Sequence, residues 1–415
     1  MGGSGPVGPR HEGRLRGIES RRPGRGGEVF QGRTRQGSWH RGRFRSRLRG
    51  LVSASAQPNQ RVADVLLALG DLYYDQARYG EAEPMYKRAV AIEERSLGPE
   101  HRYVAIDLNK LADVYRQQGR YEKAEEIYHR VLSLKRKLYG RNHLSVAVTL
   151  NSLGQLYWLQ GRYAEAEPFY QQALPIAQAA GKAGAPYVSA VLSNLVNLYM
   201  DQGRYGEAVP LAQKVLTLSE TDYGPDDPNV ATDLNNLAEI YRSQGRYTKA
   251  EPLYRRALAI AEKALGSEHP SVASILNNLA AIYRLQGRYV EAEPLFKRAL
   301  AIREEAQGPN HPDVAVGLNN LADLYMAQGR YAEAEPMYKR ALAIDEKALG
   351  ANHPWVATDF NNLASLYHLQ GRNAEAVPLY ERALTIDERA LGSEHPAVAK
   401  ELGNLASTYQ AQGLY

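Results

Sequence analysis

Asparagine supplies the most regularly placed chemistry in these 415 residues. Pairs stand at Asn235-Asn236, Asn277-Asn278, Asn319-Asn320 and Asn361-Asn362, with single members at Asn109, Asn151, Asn194 and Asn404. A carboxamide carries two donors and an acceptor, so a row of them can hold the main chain of an extended peptide whatever its side chains. The alternative is structural: one amide of each pair bonds across a helix interface or to a linker. Seven residues after the first Asn position stand Arg116, Trp158, Met200, Arg242, Arg284, Met326 and His368. Three residues before each of these are Asp113, Gln155, Asn197, Glu239, Ala281, Asp323 and Ser365. This variable stripe suits a peptide with an aromatic or aliphatic anchor and flanking acids, with Trp158, Arg116, Arg242 and Arg284 as its strongest contacts. Its own alternative is a solvated helix face whose side chains drifted.

Other chemistries are poorly supported. His101, His143, His269, His311, His353 and His395 recur in one column. If that column runs along stacked helices ~8–10 Å apart, its members are too far from one another to share a zinc ion. A place at a helix start, before Pro in the last four copies, fits better. Glu81, Glu165, Glu207, Glu291, Glu333 and Glu375 also share a column, in which Lys123 and Lys249 reverse the sign. Solvated faces tolerate such swaps and catalytic carboxylates do not. There is no Walker A loop, dinucleotide fingerprint, His-Glu-x-x-His, Gly-x-Ser-x-Gly or EF-hand loop. The absence of Cys excludes disulfides, thiolate nucleophiles and Cys-ligated metals. The expectation is a non-enzyme with no cofactor and no metal. No apolar run approaches the ~18–20 residues of a membrane span.

The elements that must position these residues follow from a strict repeat. Ala77, Gly119, Gly161, Gly203, Gly245, Gly287, Gly329, Gly371 and Gly413 are spaced by 42 residues throughout. Such periods mark solenoids. Eight units fill 63–398 and a 17-residue remnant, 399–415, follows, so 62–415 reads as one array ending in a single helix. In the unit from Ala231, Leu234, Leu237, Ala238 and Tyr241 form the apolar stripe of one helix. Gln244-Gly245-Arg246 breaks it, since Gly accepts the left-handed position that ends a helix. Tyr247, Ala250, Tyr254, Ala257 and Leu258 form the stripe of a second helix, with Pro252 near its first turn. Leu265-Gly266 ends that helix and His269-Pro270 opens the next. One hairpin cannot bury its stripe alone, so neighbours must stack. The fold class is all-α, a right-handed solenoid of antiparallel helix pairs.

The formal charge of +5 is unevenly placed. Residues 1–50 hold thirteen Arg and thirteen Gly against three acids, a net of +10, which leaves −5 on the rest. Composition of this kind cannot offset ordering entropy, so 1–61 reads as a disordered Arg/Gly-rich leader. It is similar to RNA-binding Arg-Gly segments, with Trp39 and Phe44 available for stacking, and nucleic acid is expected only through this leader, if at all.

Leu234-x2-Leu237-Ala238-x2-Tyr241 with Ala250-x3-Tyr254 resembles the tetratricopeptide repeat, with Leu in place of the opening Trp. The 42-residue length, the Leu-Asn-Asn-Leu-Ala core and the Leu-Gly-x-x-His-Pro-x-Val-Ala linker resemble the kinesin light chain class, over 63–415. Departures occur at Ala77, Glu126, Asn373 and 181–186, and residues 1–62 lack the heptads through which kinesin light chains bind the motor chain. The resemblance implies a cytoplasmic, non-catalytic scaffold whose first helices line a concave groove for a partner peptide, with the asparagines on its main chain. Two rival readings are a recognition or spacer arm of a larger truncated protein, since the chain stops at Gln412-Gly413-Leu414-Tyr415, and polyanion binding through the leader.

Overall fold

A computed structural model describes residues 58–393 and 395–413. The expectations for the leader therefore lie outside the described residues, except that Pro58 already opens the first helix. Residues 58–246 and 247–413 form two compact units. The first holds α1 (Pro58–Asp75), α2 (Tyr79–Leu97), α3 (Arg102–Gln117), α4 (Tyr121–Tyr139), α5 (Leu144–Leu159), α6 (Tyr163–Ala179), α7 (Ala185–Asp201), α8 (Tyr205–Tyr223) and α9 (Pro228–Ser243). The second holds α10 (Tyr247–Leu265), α11 (Pro270–Leu285), α12 (Tyr289–Gln307), α13 (Pro312–Ala327), α14 (Tyr331–Leu349), α15 (Pro354–Leu369), α16 (Asn373–Leu391) and α17 (Pro396–Ala411). There is no strand among the described residues. Inside each unit every helix packs on its chain neighbours, and the first helices α1, α3, α5 and α7 of the first unit, like α11, α13, α15 and α17 of the second, also touch in series. The protein is an all-α solenoid of helix pairs, and within each of these two runs the first helices make a layer.

The ends of the helices follow the sequence signals. Gly119, Gly161 and Gly203 close the first helices at φ +69° to +72°, where a Cβ costs energy. Ala77 occupies the same turn at φ +58° and makes the same bond, Arg78 N–H to Tyr73 O at 2.8 Å. The histidine column caps the next helix: in His101, His143, His269, His311, His353 and His395 the Nδ1 accepts an amide N–H two residues on, at 3.1–3.3 Å. Asp227 does this at the start of α9. Where 181–186 replace the usual linker, a short 3₁₀ turn, Gly181–Ala183, leads into α7.

Tyrosines of the second helices sit on small residues of the first. A Cβ added to Gly70 or Gly154 would come within 2.6 Å of the Tyr86 or Tyr170 ring. Ala112, Ala238, Ala280, Ala322 and Ala364 hold the equivalent place elsewhere, all fully buried. In the fourth repeat both members change together, with Val196 in the small site and Ala212 in the tyrosine site, so the larger of the two side chains stands on the first helix there.

A polar latch fastens one repeat to the next. Arg162 stacks on Tyr157 at 4.2 Å and reaches Glu125 of the preceding repeat at 3.0 Å and Glu165 of its own at 2.6 Å. Tyr157 donates its OH to Glu125 at 2.6 Å. Arg204, Arg288, Arg330 and Arg372 repeat the pattern with Glu167, Glu251, Glu293 and Glu335. Glu293 and Glu335 are held down near pH 2 by the Arg330, Lys297, Lys339 and Arg372 side chains that bond them. Val209 stands where the latch glutamate of Arg246 belongs, and Arg246 lies 5.3 Å from Tyr241 instead of about 4 Å.

Two outcomes are expected in urea denaturation of the whole chain. Ala77→Gly relieves the left-handed turn and stabilises by about 0.5–1 kcal/mol; a loss would show that Ala77 is unstrained. Val209→Glu supplies the missing latch and stabilises by about 0.5 kcal/mol, a gain that disappears in an Arg246→Gln background.

Candidate functional site

Because the first helices touch, residues at one helical position form rows that run from repeat to repeat. The asparagines make such a row. Asn194 Nδ2 donates to Asn151 Oδ1 at 2.9 Å, Asn320 to Asn277 at 2.7 Å and Asn404 to Asn361 at 2.9 Å. Gln155 adds a 3.4 Å donor to Asn194. Each rung uses one N–H of one amide and one lone pair of the other, so every pair retains donors and acceptors. Both readings of the asparagines thus meet in the same side chains: they bond across the interface and keep unused capacity.

Not every asparagine is in a rung. Asn109 donates to Asp113 at 3.1 Å and accepts from Lys135 at 3.1 Å and Thr149 at 3.2 Å. Asn319 is buried and donates to the buried Asp359 at 2.6 Å. Asn235, Asn361 and Asn362 are buried, whereas Asn236, Asn278 and Asn320 are half-buried. At the position of Asn236 in the second repeat, Lys110 instead pairs with Asp71.

The stripe of variable residues is less uniform than its spacing suggests. Arg116 packs against Asp113 at 3.5 Å and Tyr128 OH at 3.4 Å. Arg242 is held by Glu239 on its own helix, with Nε to Oε2 at 2.8 Å. Arg284 has Ala281 in place of that acid, and its buried Nε has no hydrogen-bond partner. Its charge bears on Asp323 of α13, a carboxyl pushed up by burial and pulled back by Arg284. Trp158 donates its indole N–H to Asp201 at 2.7 Å across to α7 and is half-buried. His368 contacts Asn373 at 3.0 Å and Thr408 at 3.2 Å through Nδ1.

The acids three residues earlier turn inward to the second helix. Tyr128 OH donates to Asp113 at 2.5 Å, Tyr338 OH to Asp323 at 2.5 Å, and Tyr380 OH lies 2.9 Å from Ser365 Oγ. They hold the helix pair together. Their recurrence fifteen residues before a second-helix tyrosine was the available signal.

Sequence reasoning also passed over a buried polar column between each second helix and the following first helix. Lys135 donates to Thr149 at 2.8 Å and Ser219 to Asp233 at 2.5 Å, partners fourteen residues apart in both cases. Burial pushes Asp233 up to about 6, against the Ser219 bond. The same column carries Asp345 with Asp359 and Asp387 with Glu401, all buried. No three His, Asp or Glu side chains among the described residues converge as a metal site would require, and no described helix is long and apolar enough to cross a membrane.

If the rungs join repeats, Asn277→Ala and Asn320→Ala should be coupled by about 0.5–1.5 kcal/mol in a double-mutant cycle read by urea denaturation; additive effects would refute the rung.

The family model of the tetratricopeptide repeat matches residues 61–133, 105–179, 187–263, 233–305, 271–346, 313–389 and 360–415. No curated protein matches. Among solved structures the chain is similar to BtubC (BKLC) from P. vanneervenii, 29% identical over 57% of this chain and 92% of that one, with a TM-score of 0.47. It is similar to a putative kinesin light chain of Podosopora anserina with nearly identical TPR-like repeats, 29% identical over 48% of this chain and 94% of that one, TM-score 0.43. The apo form of the quorum sensor NprR from B. thuringiensis shares the fold at 14% identity, covering 84% of this chain and 94% of that one, TM-score 0.64.

Proposed function

Because this chain belongs to the tetratricopeptide repeat family, whose members are commonly protein-interaction scaffolds, we propose that its first-helix layer binds an extended segment of a partner protein in a concave groove. The reading includes a cytoplasmic, non-catalytic role, as the kinesin light chain resemblance implies. The rungs Asn151–Asn194, Asn277–Asn320 and Asn361–Asn404 support it, since amides already tied at one atom are pre-set in orientation and lose little freedom when a peptide main chain takes the rest. Asn109 and Asn319 support it least, being engaged in internal networks.

The observation that carries the reading is the unequal state of the three arginines. Arg116 and Arg242 have acids on their own helices, so a ligand carboxylate would have to compete with Asp113 or Glu239. Arg284 has none. A half-buried guanidinium with no acid on its own helix favours a carboxylate in bidentate geometry. The partner segment therefore presents an acid to Arg284 and an aliphatic or aromatic anchor to Met326.

The test uses labelled peptides with one Trp flanked by Asp, and counterparts with Asn in place of Asp, in fluorescence anisotropy. The Asp peptides are expected to bind more tightly, and Arg284→Gln to remove about tenfold of that preference. Arg242→Gln lowers the melting temperature instead, because it leaves Glu239 buried without its guanidinium. Equal binding of both peptides, or an unchanged preference in Arg284→Gln, overturns the reading.

A further inference from the structure

The last two members of the buried column are both acids. Asp387 on α16 and Glu401 on α17 are 5% and 4% exposed, fourteen residues apart like Lys135–Thr149 and Ser219–Asp233, whose side chains bond directly across the equivalent interface. They hydrogen-bond each other. Two carboxylates cannot do this, because neither has a proton to donate. One of the pair must be a carboxylic acid whenever α17 is seated as the structure has it. Asp387 Oδ1 and Glu401 Oε2, the outer oxygens, are buried without a hydrogen-bond partner, so no donor offsets a second negative charge there.

We propose that Asp387 and Glu401 are a proton-sharing latch: α17 docks on α16 with one proton held between the two carboxyls and is released when that proton is lost. No redox or covalent step is involved; the proton goes to solvent. The charged groups bearing on the pair are Glu388 on α16, His395 at the start of α17 and Lys400 beside Glu401, with Asp323 on α13 acting on Lys400. Glu388 adds repulsion to the ionised state. Lys400 favours ionisation, but its charge is opposed by its own desolvation, which holds its pKa below the usual lysine range.

The sign follows from burial. Burial, then Asp387, push Glu401 up to about 8 from the usual 4.5. Docking therefore takes up a proton at any pH between those values. Its equilibrium weakens by about tenfold per pH unit across that window and levels off above it. His395 Nδ1 accepts from Ala397 N–H at 3.2 Å and caps the start of α17. Release of α17 would also break the Asn361–Asn404 rung and uncover the apolar faces of α16 and α15, so the end of the first-helix layer becomes proton-dependent.

Hydrogen exchange of the full chain, corrected for intrinsic rates, tests this between pH 5.5 and 8.5. The protection of α17 amides is expected to fall by about tenfold per pH unit up to about pH 8, while α13 amides stay flat. Glu401→Gln supplies a permanent donor to Asp387 and should flatten the α17 profile. Asp387→Asn should do the same with the roles exchanged, and α13 protection reports whether either variant is folded. The proposal is overturned if wild-type α17 follows the same pH course as α13, or if the slope survives in both amide variants.

Discussion

Everything in this array depends on a phenol ring lying on a residue with almost no side chain. Tyr86 over Gly70 and Tyr170 over Gly154 set how closely a second helix approaches its first, at a distance where even a methyl group would strike the ring. That approach fixes the position of the hydroxyl, and in four repeats the hydroxyl finds an acid or Ser on the first helix: Asp71 at 2.7 Å, Asp113 and Asp323 at 2.5 Å, Ser365 at 2.9 Å. The polar contact then tells the ring which face of the first helix is inward. Apolar burial supplies the attraction and the hydrogen bond supplies the direction, a division expected where a buried hydroxyl must be satisfied. The fourth repeat abandons the ring and its small partner together, with Val196 and Ala212 buried in their places.

Between repeats the same division recurs with different chemistry. The Arg–Glu–Tyr latch lies on partly exposed side chains and contributes only modestly per pair, yet it repeats at five junctions and stacks each guanidinium on a tyrosine whose hydroxyl shares its glutamate. Deeper in the interface the fourteen-residue column is apolar at Ala177 with Val191 and Ala261 with Ile275, a donor–acceptor pair at Lys135–Thr149 and Ser219–Asp233, and two acids at Glu93–Asp107, Asp345–Asp359 and Asp387–Glu401. Each solution satisfies the burial constraint in a different protonation state. An apolar pair is insensitive to pH. Ser219–Asp233 has a donor but leaves Asp233 raised to about 6. Asp387–Glu401 needs a proton from solvent, which exposes this junction to solution conditions.

The repeat period, the helix pairs, the turn glycines and the histidine starts were all legible because each is a local signal multiplied eightfold. Solenoid packing then follows with little freedom, as one hairpin cannot bury its stripe. The candidate site was legible in part. The asparagine rungs could be suspected from spacing, but whether an amide reaches its neighbour or a side chain on the following helix depends on what stands one residue away: Asn320 reaches Asn277, while Asn319 turns to Asp359. The acids beside the variable stripe misled for a similar reason. On a helical wheel Asp113 and Asp323 fall at the edge of the open face, and only the tyrosine fifteen residues later draws them inward. The buried acid pairs were invisible because a one-helix reading sees a lone carboxylate and assigns it to solvent.

Charge counting fails here for a reason that reaches beyond this chain. The formal total of +5 belongs to the first fifty residues, and the array that follows is net negative. Even within the first-helix layer the arginines cannot be added, because Arg116 and Arg242 spend their donors on acids of their own helices. What a ligand meets is the charge left after each repeat has neutralised itself. Arg284 retains that charge through the substitution of one position, Ala281, whose loss of a carboxylate is also why Asp323 in the next repeat feels the guanidinium. In a repeat protein the fold holds the positions constant, so a single departure from the repeat's own pairing is the place where binding chemistry becomes available. The columns that pair within themselves build the scaffold, and the unpaired member of a column is where a partner can be read.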